Sequence, residues 1–126
     1  MKSGFEAGLS AELTEETTES DGAPHLRSAS GASFYSTPAM IALMERTAIQ
    51  VIKPYLEEGE SSVGAKVNVS HLAGTAIGQK VRCKATVETI AGRRVTFAVE
   101  AYNEKEKIGE GTHERVVIQV KRFVAQ

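Results

Sequence analysis

From Val63 onward the chain places an apolar residue at almost every second position, and that period of two fixes most of what it can fold into. Val63, Ala65, Val67, Val69, His71 and Ala73 fall on one face of a first run. Val81, Cys83, Ala85 and Val87 make a second run, and Val95, Phe97, Val99 and Ala101 a third. Ile108 to Val124 reads as a long last strand, with Gly109 and Gly111 placed to bulge it. Ala91-Gly92-Arg93-Arg94 and Asn103 to Lys107 are the turns. Tight turns between successive strands dictate an antiparallel sheet.

Before Val63 the period changes. Ser36-Thr37-Pro38 is a helix start, a hydroxyl cap followed by proline in the first turn. Ala39 to Ile52 then carries Met40, Ile41, Leu43, Met44, Ala48, Val51 and Ile52, until Pro54 ends or bends the helix. Glu57 to Ser62 is a polar loop. Gly8 to Glu19, with Leu9, Ala11 and Leu13 alternating, reads as an exposed first strand. Ser20 to Ser36 reads as a loop of about 15 residues, a length often used for a lid. One long helix must then cover one face of the sheet. The expectation is a single α+β domain over residues 1–126, with a sheet packed on one helix.

Bulk composition narrows the function. With 15 Lys+Arg against 16 Asp+Glu, the net charge of −1 carries no footprint for nucleic acid or an acidic membrane. No run approaches the roughly 20 apolar residues that span a bilayer. Met1 to Ser10 has one lysine and no apolar core of a signal peptide, so the expected compartment is the cytoplasm. Cys83 is the only cysteine, which excludes an internal disulfide and a multi-cysteine metal site. There is no glycine fingerprint for a dinucleotide and no P-loop.

Two polar residues stand on apolar faces. With Glu45 as the zero direction on the helix, Ile41 and Ile52 lie within about 40° and Ala48 about 60° away. Arg46, Gln50 and Lys53 cluster on the opposite flank. A carboxylate inside that arc is expected to be paired or raised in pKa, as suits a general base or nucleophile; a place at the rim of the stripe, reaching water, is equally compatible. His71 shares a strand face with Val67 and Val69, the face that should meet the helix. Taken singly, it reads as a core histidine bonded to a carbonyl. Together, Glu45 and His71 suggest two ionisable groups facing each other across the helix–sheet interface, able to activate water. Thr37 is a third candidate: either it or Ser36 is the cap, and a hydroxyl there lies where the helix dipole favours negative charge. Gly64 permits close backbone approach. Cys83 reads as a small core residue, Arg93 and Arg94 as turn residues, and His113 and Arg115 as solvent-exposed by default. His71 and His113 are too sparse for a metal site.

At these residues the sequence resembles the fluoroacetyl-CoA thioesterase-like family of acyl-CoA thioesterases. The resemblance is carried by Leu43-Met44-Glu45, Pro54-Tyr55-Leu56-Glu57-Glu58-Gly59-Glu60, Val69-Ser70-His71 and Gly111-Thr112-His113-Glu114-Arg115. It runs from about Thr37 to Phe123, with a weaker match at Met1 to Gly8. It implies a hot-dog fold, an antiparallel sheet wrapped around a long central helix. It implies a homodimer joined sheet edge to sheet edge, with pairing into tetramers left open. The implied activity is metal-free hydrolysis of a short or small acyl-CoA, with coenzyme A as part of the substrate and no separate cofactor. The family's catalytic threonine, glutamate and histidine fall on Thr37, Glu45 and His71. A glycine whose amide holds the thioester carbonyl falls on Gly64, and a nearby arginine on Arg115. The segment before Thr37 departs from the fluoroacetyl-specific enzyme, which has an aromatic-rich lid there: here it is shorter, and of its residues only Phe34 and Tyr35 offer aromatic contact to a substrate. Pro38 also stands where the fluoroacetyl enzyme has glycine. The chemistry transfers on this reading and fluoroacetyl selectivity does not. Two other functions fit the same residues: hydration of an enoyl-CoA, and acyl-CoA binding without turnover.

Overall fold

The computed structural model describes residues 1–126. Its elements are β1 (Ser10–Glu16), α1 (Pro24–Ser30), α2 (Thr37–Ile52), β2 (Glu60–His71), β3 (Lys80–Ala91), β4 (Arg94–Tyr102), β5 (Lys107–Gln119) and α3 (Val120–Val124). The strands form one antiparallel sheet in the order β1-β3-β4-β5-β2. Helix α2 contacts all five strands, so the sheet curls around it. This is the expected hot-dog arrangement.

The core explains why the helix stays there. Leu43, Met44, Ala48 and Ile52 of α2 are at most 1% exposed and belong to one cluster with Val81, Cys83 and Ala85 of β3 and Phe97 and Val99 of β4. Each large apolar side chain buried this way contributes about 1.5–3 kcal/mol. Arg46, Gln50 and Lys53 are exposed, as the helical period requires.

Three expectations are corrected. Ser20 to Ser36 is not a plain loop: it holds the two-turn helix α1. Pro24 opens it and Gly31, at φ 75°, closes it in the left-handed conformation that glycine takes without strain. The last strand stops at Gln119, and Val120–Val124 turn into α3. The β2 face is not uniform either. Opposite β5 the register shifts between Gly64 and Lys66, so Ala65 has no partner. One extra residue reverses which face each side chain takes. Val67 and Val69 therefore lie on the face of Gly64, paired with His113 and Gly111, while Val63 pairs with Val116 on the other face. In β5 the irregularity falls at Ile108, just before Gly109.

At Gly111 the backbone of β2 leaves no room for a side chain on β5. A Cβ there would stand 2.2 Å from the Asn68 carbonyl oxygen and 2.6 Å from the Val69 Cα, both backbone atoms with no freedom to yield. Gly111→Ala should therefore cost at least about 1–3 kcal/mol, the usual cost of overpacking, and lower the unfolding midpoint clearly. An unchanged midpoint would show that the strands can part at no cost.

Strand β2 is the last in the sheet order, so its outer edge has no strand beside it. It is 12 residues long, and Val67 near its middle is 40% exposed. A long open edge of this kind is a template for another strand.

Candidate active site

Two groups of candidate residues form on the helix-facing side of β2, and they form apart. The first sits at the start of α2. Ser36 caps the helix, its hydroxyl accepting from the Ala39 amide at 3.2 Å. That settles which hydroxyl is the cap and leaves the Thr37 side chain free. Thr37 Oγ1 lies 2.8 Å from Nδ1 of His71, the last residue of β2. His71 Nε2 is buried with no partner in the chain. Burial lowers the His71 pKa below the ordinary histidine value, with the nearby Ala73 backbone acting in the opposite sense. The ring is therefore neutral near pH 7 and able to take a proton.

Beside this pair opens a cavity of about 800 Å³. Thr37 and His71 line it together with Phe34, Tyr35, His25 and Leu26, so α1 and the segment after it form one wall. Phe34 is half-buried there. Tyr35 is only 3% exposed and packs mainly into the core cluster; burial raises its pKa far above the ordinary tyrosine value, and its hydroxyl has no partner.

The second group lies two helical turns further on, about 12 Å along α2 from Thr37. Glu45 sits at the edge of the buried stripe, its side chain 39% exposed, flanked by half-buried Ile41 and Ile49. Its Oε2 lies 3.5 Å from Arg115 Nη1 and is close enough to Gly64 that a Cβ there would meet it at 2.9 Å. Arg115 is held from below by Ser62: Nε donates to the hydroxyl at 3.0 Å and Nη2 to the carbonyl at 3.1 Å.

Within one chain, then, Glu45 and His71 do not face each other. His71 bonds the first residue of α2, and the seven residues between Thr37 and Glu45 carry the carboxylate away along the helix axis. Of the sequence candidates, the fold joins Thr37 to His71 and joins Glu45 to Gly64 and Arg115. Arg115 and His113 also depart from the expectation of exposure, at 4% and 1%. Both alternate with buried Val117 on β5, which is the sequence signal that could have placed them inside. Ser62 and His113 were not among the site candidates. Arg93 and Arg94 remain at the surface turn, ion-paired with Glu60 at 3.7 Å and Glu114 at 3.3 Å. Cys83 is core. No three potential metal ligands come together anywhere in the chain, and no helix is long and apolar enough to cross a membrane.

A helix wrapped by an antiparallel sheet, with polar groups lining its β2 side, is the architecture of the hot-dog proteins. Residues 17–121 match the family described as fluoroacetyl-CoA-specific thioesterase, and the chain belongs to that family. It is 39% identical over 92 residues to the fluoroacetyl-CoA thioesterase of Streptantibioticus cattleyicolor, an alignment that takes in 73% of this chain and 66% of that one. A solved structure of fluoroacetyl-CoA thioesterase superposes with a TM-score of 0.89 at 32% identity, covering 97% of this chain and 94% of the other. A mutant of that enzyme in complex with fluoroacetate and CoA superposes at 0.86 and 32% identity, covering 94% and 98%. A Thermus thermophilus hypothetical protein, a thioesterase superfamily member, superposes at 0.87 and 32% identity, covering 98% and 90%.

Proposed function

We propose that this protein is an acyl-CoA thioesterase that hydrolyses a short-chain or small acyl-CoA to the free acid and CoA. The observation that carries the proposal is the Thr37–His71 hydrogen bond at the mouth of a largely apolar cavity, with His71 Nε2 buried and unpartnered. Such an atom lacks a partner that a second subunit can supply. The relative that binds fluoroacetate and CoA supports the substrate class.

The site is complete only in a homodimer on this proposal. Two copies of β2 would pair edge to edge, antiparallel, which would also cover Val67. In a register centred on Asn68, Val67 stands opposite Val69, and the extra residue at Ala65 brings Gly64 of one copy opposite His71 of the other. Directly opposed residues project to the same side with Cβ atoms about 5 Å apart. Glu45, which lies against its own Gly64, would then reach the neighbouring His71. Each site would combine Thr37 and His71 of one subunit with Glu45, Gly64 and Arg115 of its mate.

In the reaction, the Gly64 amide and the start of α2 stabilise the oxyanion. Glu45 takes a proton from water, which attacks the carbonyl carbon, or attacks it directly and is then released by water. His71 moves the proton and Thr37 positions the thioester. The C–S bond breaks, the acid departs, and the CoA sulfur leaves as thiolate or is protonated. The proposal places the protein in the cytoplasm and asks for no metal or separate cofactor.

The test is thiol release from a panel of acyl-CoAs from acetyl to hexanoyl, with fluoroacetyl-CoA included. Short chains should turn over fastest, and fluoroacetyl-CoA should gain no special preference, because the segment before Thr37 lacks the aromatic-rich lid of the fluoroacetyl-specific enzyme. Thermal stabilisation by CoA esters without thiol release would replace the proposal with a binding module. Loss of enoyl absorbance without thiol release would replace it with a hydratase.

A further inference from the structure

Around Gly64 a buried histidine is wired to both sides of the Glu45 group and is not used by the chemistry above. His113 lies on β5 opposite Val67, 1% exposed. Its Nδ1 is 2.8 Å from the Lys66 carbonyl oxygen. A carbonyl only accepts, so Nδ1 carries the proton. Its Nε2 is 3.2 Å from Arg115 Nη1. A guanidinium only donates, so Nε2 must be bare. Two separate partners therefore demand the same neutral tautomer. Burial acts in the same sense, pushing His113 below the usual histidine range, with the Lys66 bond opposing and the Arg115 charge adding to it.

Arg115 has few freedoms left. Nε and Nη2 are taken by Ser62, and Nη1 lies between His113 Nε2 and Glu45 Oε2. The three side chains converge on one point: a Cβ on Gly64 would be 2.9 Å from Glu45 Oε2, 3.5 Å from Arg115 Nη1 and 3.6 Å from His113 Cε1. Lys66, whose carbonyl His113 holds, is the first paired residue after the bulge that carries Gly64.

We propose that His113 is a positioning residue for Glu45. By accepting one Nη1 hydrogen of Arg115 it sets the guanidinium so that the other points at the carboxylate, and its donation to Lys66 fixes the ring in the tautomer whose Nε2 can accept. The proposal rests on Glu45 acting as the base or nucleophile of the thioesterase.

Two substitutions separate the two bonds. In His113→Gln the amide oxygen can reach where Nε2 was and accept from Arg115. In His113→Asn the amide nitrogen can stand for Nδ1 and donate to Lys66, but nothing accepts from Arg115. His113→Asn should lose about 10-fold or more in kcat with KM changed less than about threefold, the signature of a misplaced catalytic group. His113→Gln should keep kcat within about threefold of wild type. Equal kcat in the two variants, whether both high or both low, overturns the proposal, since packing alone would not tell them apart.

A measurement on the unaltered protein stands apart from both folding of the variants and the activity. Nitrogen-15 NMR of its three histidines should show His113 with Nδ1 protonated and Nε2 bare at pH 7. A protonated Nε2 overturns the proposal even if hydrolysis is confirmed. The expected tautomer together with absent hydrolysis would instead sink the thioesterase reading and, with it, the role assigned to His113.

Discussion

Glu45→Gln and His71→Ala, each inactive alone, should restore one another when mixed. Each substitution by itself removes a proton-transfer group and should lower kcat by about 10²–10⁴. Subunit exchange between the two variants makes a heterodimer in which one chain keeps His71 and the other keeps Glu45. If each site draws on both chains, one of its two sites is whole. Random exchange makes half the dimers mixed, so activity should recover to about one quarter of wild type. If Glu45 and His71 served the same chain, every site in the mixture would be defective and no activity would return. The separation of the two groups along α2 is the reason to expect recovery: in a single chain His71 reaches Thr37 and Glu45 reaches Arg115. A mixture that stays dead while its size shows dimers exchanging would refute the composite site.

Gly64→Ala should lower kcat by about 10²-fold while the protein stays folded. The added Cβ would stand 2.9 Å from Glu45 Oε2, a contact that cannot persist. Its neighbours Arg115 Nη1 and His113 Cε1, at 3.5 and 3.6 Å, are in ordinary contact and need not move. The carboxylate is the far end of a flexible, part-exposed side chain, so it swings away at little cost in stability. A catalytic group displaced by about 1 Å is enough for a loss of this size. The effect should appear in kcat more than in KM, with an unfolding midpoint close to wild type. A midpoint that falls sharply would mean that the glycine serves the strand, and unaltered kcat would mean that Glu45 does not act from where it lies. The contrast with Gly111→Ala is informative, because there the added carbon meets backbone and the fold itself must give.

The separate readings of helix and strands held because each rests on local periodicity. Pro38 and Pro54 bracket α2, and the alternation through Val81 to Ala101 is the alternation found. The α1 helix is not legible in the periodicity although Pro24 and Gly31 mark its two ends, because its seven residues carry no apolar stripe. The bulge at Ala65 escaped for a different reason. An extra residue in a strand of small side chains leaves the spacing of Val67, Val69 and His71 intact, and shows only as a change of partner on β5.

The candidate site divides along the same line. Residue type and pattern were enough to single out Thr37, Glu45 and His71, since a carboxylate beside an apolar helical stripe and a histidine on an apolar strand face are costly unless used or paired. Resemblance added Gly64 and Arg115. The partners were beyond the sequence. That Ser36 takes the cap and frees Thr37 for His71, that Arg115 is buried against Ser62, and that His113 joins Arg115 to the bulge all depend on strands distant in the chain coming into register. Periodicity reports the face on which a side chain lies. It does not report how far along that face a second element will set its own. Seven residues of helix separate Thr37 from Glu45, and only the packing of α2 across β2 decided that His71 would meet the first and not the second.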